Sequence, residues 1–262
     1  MRMTTRCLLL FIPVLLASYG VAMLVAPWVP FSFLRIFNRC LLGFAFPTAF
    51  FFQKKIRKKP FSEIGLEGKG TAIRDISKGL VLSLIFFTAV TWVSLFFGFS
   101  LVAYHPPPHM RKIFNYVLAS ILTAFFEEFF FRGLLFKVLS DDCSVPVSLG
   151  ISSGIYSLAH FIRPFFTKSA DLSLFYTESI GLFLFGILLA YAFYRTGSLY
   201  FSMGLHGGFV LLLKLDGIFI NRLMREPVWL FGEERLVGGI VTWPMFLAVF
   251  LCIRWLTRRR NC

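Results

Sequence analysis

The run Leu80–Tyr104 reads LVLSLIFFTAVTWVSLFFGFSLVAY and contains no charged side chain. At ~1.5 Å of helical rise per residue it is long enough to cross the ~30 Å hydrocarbon core of a bilayer. Lipid offers the backbone no hydrogen-bond partners, so a spanning segment is either a helix or a strand of a closed barrel. Apolar and polar residues do not alternate strictly along the run, which argues for a helix. The whole chain has the same character. Its 262 residues are 57% hydrophobic and 15% charged, with a mean hydropathy of +0.76, whereas a soluble domain carries about 25% charged residues. The expected fold is all-α, a polytopic membrane bundle of about eight transmembrane helices.

The predicted spans are Cys7–Leu34, Cys40–Gln53, Leu80–Tyr104, Ile113–Leu139, Val145–Ile162, Ser179–Tyr194, Ser198–Leu213 and Leu236–Ile253. Arg2 and Arg6 precede the first, as they would in a signal peptide. Its apolar run is too long for a signal core and ends at no small-x-small site, so it reads as a retained membrane helix. Cys40–Gln53 is too short to cross without its flanks. Between spans, Phe61–Gly79 mixes charge with spaced apolar residues and reads as an interfacial segment. His105–His109 (HPPPH) reads as a rigid solvated loop.

The net charge of +14 does not indicate nucleic-acid binding, because the basic residues lie between apolar runs. There they act as topology signals and lipid headgroup contacts. KKIRKK (Lys54–Lys59) and RWLTRRR (Arg254–Arg260) are the densest clusters, and with eight spans both fall on the side of the N-terminus, which makes that side cytoplasmic. Cys7, Cys40, Cys143, Cys252 and Cys262 have no C-x-x-C spacing and suggest neither a zinc ribbon nor a disulfide framework.

Within the fourth span, Ala124–Gly133 reads AFFEEFFFRG. An ionisable residue at membrane depth marks a functional site by default. At 100° per residue, Thr123, Glu127, Glu128, Phe131 and Arg132 share one broad sector, and Glu128 and Arg132 are close enough to pair. Arg132 then neutralises Glu128 and leaves Glu127 for other work; a purely structural ion-pair network is the alternative. On the fifth span, Ser153, Tyr156, Ser157 and His160 form a polar stripe that has to face protein or water. On the seventh, Gly204, Gly207 and Gly208 flank His206, and small residues allow close helix packing or substrate approach. A carboxylate and two histidines on three different helices are the minimal set for activating a water: a general base, a group to orient the water, and a donor to the oxyanion.

These residues resemble the type II CAAX prenyl endopeptidase and bacteriocin-processing (CPBP) family of intramembrane proteases. Its E-E-x-x-x-R motif is matched by Glu127-Glu128-Phe129-Phe130-Phe131-Arg132. Its aromatic-x-x-x-His motif is matched by Tyr156 to His160, with tyrosine for phenylalanine. Its third motif is matched by His206, although the polar residue expected four positions later is Val210; Arg195-Thr196-Gly197-Ser198-Leu199 is similar to the family's lead-in. The resemblance implies that Glu127 is the base, His160 positions water, and His206 stabilises the oxyanion. Glu128 and Arg132 would be a supporting pair, with Tyr156 beside His160. It also implies three regions: residues 1–110 with N-terminal membrane helices and a basic cytoplasmic loop, a catalytic membrane core at 111–215, and residues 216–262 with the last helix.

Valine cannot donate a hydrogen bond at the oxyanion position. Ser202, one turn before His206, is a candidate substitute. No cofactor is expected. A divalent ion held by Glu127, His160 and His206 is the alternative, disfavoured by the nearby Arg132 and by the absence of H-E-x-x-H. The implied activity is hydrolysis of a peptide bond in a membrane-associated protein or peptide, with the lipid bilayer as the other partner. A transporter using these groups as a proton relay and an inactive membrane scaffold are the competing readings. The predicted spans create one conflict. They place Glu127 past mid-helix toward the cytoplasm and His160 near the far end of its helix, whereas water activation requires both within hydrogen-bond reach or one bridging water.

Overall fold

The computed structural model describes residues 3–66, 70–97, 100–102, 109–161, 172–222, 230 and 236–257. Residues 105–108 of HPPPH, the Arg163-Pro164 pair and the last three arginines of the tail lie outside the described residues. Eight helices correspond to the eight predicted spans: α1 (Met3–Val25), α2 (Phe33–Phe51), α3 (Ala72–Phe96), α4 (Met110–Asp142), α5 (Val145–His160), α6 (Leu172–Thr196), α7 (Leu199–Phe219) and α8 (Trp243–Leu256). Five of them, α1, α3, α4, α6 and α7, contain stretches long and apolar enough to cross a membrane, and α8 is a shorter apolar helix. The other two fall short for visible reasons: α2 carries Arg35 and Arg39 in its first turns, and α5 has only 16 residues.

The first apolar run is two elements rather than one. Pro27 and Pro30 interrupt it, and Ser32 restarts the helix by accepting the Arg35 backbone N–H, a standard N-cap role. Phe33 and Leu34, assigned by sequence to the first span, and residues 35–39, assigned to none, thereby lengthen the second to 19 residues. A second difference is a two-stranded antiparallel ladder, β1 (Ser100–Val102) against β2 (Ile220–Arg222), which ties the end of α3 to the end of α7.

Contacts at the helix ends show how the chain alternates. Thr4 donates to the Asp142 carboxylate through both its backbone N–H (2.8 Å) and its hydroxyl (2.7 Å). Arg57, buried despite its charge, bonds Asp141 at 2.7 Å and Gln53 at 2.8 Å and lies 3.3 Å from Glu63. Arg195 at the end of α6 donates to Thr257 after α8. The described ends of the chain, the basic turn, and the α4–α5 and α6–α7 turns therefore share one end of the bundle. The ladder marks the other.

Within the segment read as interfacial, residues 61–66 form a turn that docks on the α6–α7 turn. Ile64 is fully buried, Gly65 (φ +81°) accepts the Leu199 backbone N–H at 3.0 Å, and the Tyr200 hydroxyl donates to the Leu66 carbonyl at 3.0 Å. A Cβ on Gly65 would lie within 3 Å of Phe193, Gly197 and Leu199. From Ala72 onward the chain is already α3.

α3 and α7 cross so closely that Gly79 lies against the backbone of Phe201, Gly204 and Leu205, and Gly204 lies against the Ile76 carbonyl. Gly207 meets Ala124 on α4, where a Cβ would come within 3.2 Å of the alanine methyl. The glycines around His206 are thus explained by helix packing, which brings α7 against both α3 and α4. Gly204→Ala should lower stability by about 1–3 kcal/mol, because the new methyl would fall on backbone that cannot yield. Thermal unfolding in detergent micelles reads this; an unchanged midpoint would mean that the crossing is looser.

The phenylalanines are not merely lipid-facing bulk. Phe46 of α2 contacts the rings of Phe125, Phe126 and Phe129 on α4, and Phe11 of α1 packs edge-on against Phe130. Phe129 is buried in a cluster with Cys7, Ala49 and Phe52. One flank of α4 is thereby held by α1 and α2 while its other flank turns toward α5, α6 and α7.

Candidate active site

The middle of α4 is not regular α-helix. Met110–Glu128 is α-helical, Phe129–Phe136 winds as π-helix, and Lys137–Asp142 returns to α. A π stretch adds a residue to the turn and is frequent at functional sites. Here it begins at the residue after Glu128 and contains Arg132.

The depth conflict disappears because α4 runs on to Asp142. Fifteen residues separate Glu127 from the end of α4, and fifteen separate the start of α5 from His160. At ~1.5 Å per residue, both side chains sit about 22 Å from the shared turn. His206 reaches the same level by another route: the α6–α7 turn does not extend as far, and Leu199 at the start of α7 packs against Gly133 of α4.

The result is one cluster. His160 Nε2 and His206 Nε2 each lie 3.8 Å from Glu127 Oε2. That oxygen is itself buried and accepts no hydrogen bond from the described residues, although the Glu127 side chain as a whole is 26% exposed. His160 is similarly open at 24%, while His206 (3%) and Glu128 (0%) are closed off. The site therefore has a sealed floor and an accessible face, and that face carries Glu127 and His160.

Hydrogen bonds fix the orientation of both rings. His160 Nδ1 is 2.9 Å from the Tyr156 carbonyl, which can only accept, so this nitrogen carries the proton. His206 Nδ1 is 2.8 Å from Glu128 Oε1, which also accepts from Arg132 Nη1 at 3.0 Å. A carboxylate paired with a guanidinium is acceptor-only, so His206 Nδ1 is again the donor. In both rings Nε2 is left facing Glu127. Glu128 thus has two partners, Arg132 and His206, whereas the sequence pointed only to the first.

Arg132 is anchored further by donating to the Gly186 carbonyl on α6 at 3.3 Å, and its guanidinium lies 4.4 Å from the Tyr156 ring centroid. Tyr156 also packs edge-on against Phe131 and lies 4.6 Å, centroid to centroid, from the His160 ring. The α5 stripe faces the protein as expected: Ser153, Tyr156 and Ser157 are buried, and Ser157 donates to the Ser179 carbonyl of α6 at 2.8 Å. Ser202 is buried and donates to the Leu199 carbonyl at 3.0 Å on the Glu128 side of His206. Val210 is half-buried one turn beyond His206.

Among the described residues, no group of three or more His, Cys, Asp or Glu side chains is arranged to hold a metal ion. Ligands at ~2.0–2.2 Å around a tetrahedral zinc approach each other more closely than the 3.8 Å gaps between Glu127 and the two histidines. As placed, Glu127, His160 and His206 are spread wider than the ligands of a tetrahedral zinc.

Fold and cluster define a polytopic helical membrane protein with a carboxylate–histidine site inside the bundle. Residues 109–212, which contain every member of that cluster, match the model of the family described as type II CAAX prenyl endopeptidase Rce1-like. The chain is also similar to the uncharacterized protein YyaK of Bacillus subtilis (strain 168), with 26% identity over 175 residues. That match covers 62% of this chain and 54% of YyaK, so the chain spans about half the length of this curated relative.

Proposed function

We propose that the protein is a membrane-embedded endopeptidase that hydrolyses a peptide bond in a membrane-associated protein or peptide, using a water activated by Glu127. The observation that carries this reading is the Glu127 carboxylate oxygen Oε2, buried and without a hydrogen bond among the described residues, with two imidazole Nε2 atoms 3.8 Å away. Gaps of this size are bridged by one water. In the reaction the water oxygen attacks the scissile carbonyl carbon while Glu127 takes one of its protons. His160 Nε2 accepts the other hydrogen and holds the water in line. His206 acts as the imidazolium, with Nδ1–H on Glu128 and Nε2–H donated to the oxyanion. Collapse of the tetrahedral intermediate breaks the C–N bond, and the amine leaves with the proton held by Glu127.

A proton relay for transport would string its polar groups along the membrane normal. The convergence of Glu127, His160 and His206 at one depth favours hydrolysis instead. The basic turn after α2 and the described ends of the chain lie at one end of the bundle, which supports a cytoplasmic placement of both termini.

Val210 leaves the oxyanion with His206 as its main donor. Val210→Asn should therefore raise turnover, by up to ~10² if the amide reaches the oxyanion; a rate unchanged or lowered would show that another group already serves there. The reading as a whole is tested by cleavage of co-expressed membrane peptides with wild type, Glu127→Ala and His206→Ala, each with and without chelator. Activity in the wild type alone, insensitive to chelator, is expected. Activity that survives Glu127→Ala would remove the proposed base, chelator sensitivity would restore a metal mechanism, and no cleavage of any candidate would favour transport or a scaffold.

A further inference from the structure

Both histidines depend on contacts that meet at one residue outside the recognised motifs. Gly186 lies in α6, buried against α4 and α5. Its carbonyl accepts Arg132 Nη2 at 3.3 Å, and Arg132 holds Glu128, which in turn holds His206. A Cβ built on Gly186 would stand 3.0 Å from Ser153 Cβ and 3.2 Å from Tyr156 Cδ1. Tyr156 presents the carbonyl that fixes His160 and the ring that covers Arg132. Contacts of 3.0–3.2 Å are too short for van der Waals packing, so a side chain there would push α5 and α6 apart by a few tenths of an ångström.

Resting on the endopeptidase reading, we propose that Gly186 is a positioning residue for the reaction. Its carbonyl sets the Arg132–Glu128–His206 arm, and its missing side chain lets the Tyr156–His160 arm close beside Glu127. The two arms are carried by different helices, α4 with α7 on one side and α5 on the other, and Gly186 of α6 meets both, with its carbonyl on Arg132 and its bare Cα facing Ser153 and Tyr156. Gly186 touches no reacting atom; it acts through Arg132 and Tyr156.

The test compares wild type, Gly186→Ala, and Gly186→Ala combined with Ser153→Gly, all as the full chain in detergent micelles. A displaced base or water costs rate rather than binding, and misplacement of catalytic groups by up to ~1 Å can cost about 10²-fold. Gly186→Ala is expected to lower kcat by about 10-fold or more while KM for a membrane peptide stays within about 3-fold, with partial recovery in the double variant, which removes the Ser153 Cβ contact and keeps those to Ser153 Cα and Tyr156 Cδ1. A purely structural role would instead lower the folded fraction and leave kcat per folded molecule unchanged. Histidine 15N spectra, with His206 assigned by His206→Ala, give a readout that needs no substrate. The His206 Nδ1–H signature should shift in Gly186→Ala and move part of the way back in the double variant. If wild type cleaves nothing, the endopeptidase reading fails and the spectra still decide whether Gly186 sets the histidine. A kcat within 2-fold of wild type together with unchanged imidazole signals would overturn the proposal.

Discussion

Replacing Glu127 by glutamine is expected to lower peptide cleavage by ~10²–10⁴-fold, the usual contribution of a positioned general base, with little change in thermal stability. The two expectations have a common origin. The Glu127 carboxylate is neither ion-paired with arginine nor hydrogen-bonded within the described residues, so glutamine breaks no hydrogen bond and no arginine pair and alters only the 3.8 Å approaches of the two histidines. Glutamine keeps the size and one acceptor but cannot take a proton from water. The comparison of initial rates with melting midpoints, on the same purified samples, checks the pair of statements together. Lost activity with an unchanged midpoint is the expected pattern. A midpoint several degrees lower would place Glu127 in the structural framework instead.

Arg132→Met is expected to have the opposite profile, a large loss of stability. Glu128 and Arg132 are both almost wholly buried and 3.0 Å apart. Removing the guanidinium leaves a carboxylate buried with only His206 to balance it, and stranding one partner of a buried pair typically costs ~3–5 kcal/mol. Replacing both charges with apolar residues of similar volume, as in Glu128→Leu with Arg132→Met, removes the stranded charge. That double variant should recover most of the stability without recovering cleavage, because His206 Nδ1 then has no acceptor. Denaturation midpoints of the two single variants and the double variant give the coupling directly. Additive losses would mean that the two side chains do not act as a pair.

Much of this was legible in the sequence because lipid restricts the choices. An uncharged run the length of Leu80–Tyr104 has to hold a helix, although α3 stops at Phe96 and Ser100–Val102 of the run pair as β1, and charged groups such as Glu127 and Arg132 have to turn inward. Helical periodicity also placed Glu128 beside Arg132 and put Ser153, Tyr156, Ser157 and His160 on one interior face. What could not be read were the features set by backbone and by contacts between distant segments. The first apolar run hid a chain reversal at Pro27, Pro30 and Ser32. The turn around Gly65 looked interfacial because its charged neighbours hide that Ile64 and Gly65 dock on the α6–α7 turn. The depth of Glu127 was misjudged because a polar helix end, Ser140–Asp142, extends α4 beyond its apolar stretch. The Glu128–His206 bond joins residues 78 positions apart, and no local pattern points to it. Gly186 acts through a carbonyl and through the side chain it lacks, so its identity alone gives no signal beyond one of two glycines in an apolar helix.

The most direct test of the central proposal, that Glu127 activates water for peptide hydrolysis, is cleavage of a membrane peptide in H2(18)O by the purified protein in chelator-containing buffer. Mass spectrometry of the new carboxyl terminus is then compared between wild type and Glu127→Gln. Wild type should yield a product with one (18)O atom at that terminus, and Glu127→Gln should yield essentially none. Equal labelled product from both, or labelled product from wild type only when the chelator is omitted, would contradict the proposed role of Glu127.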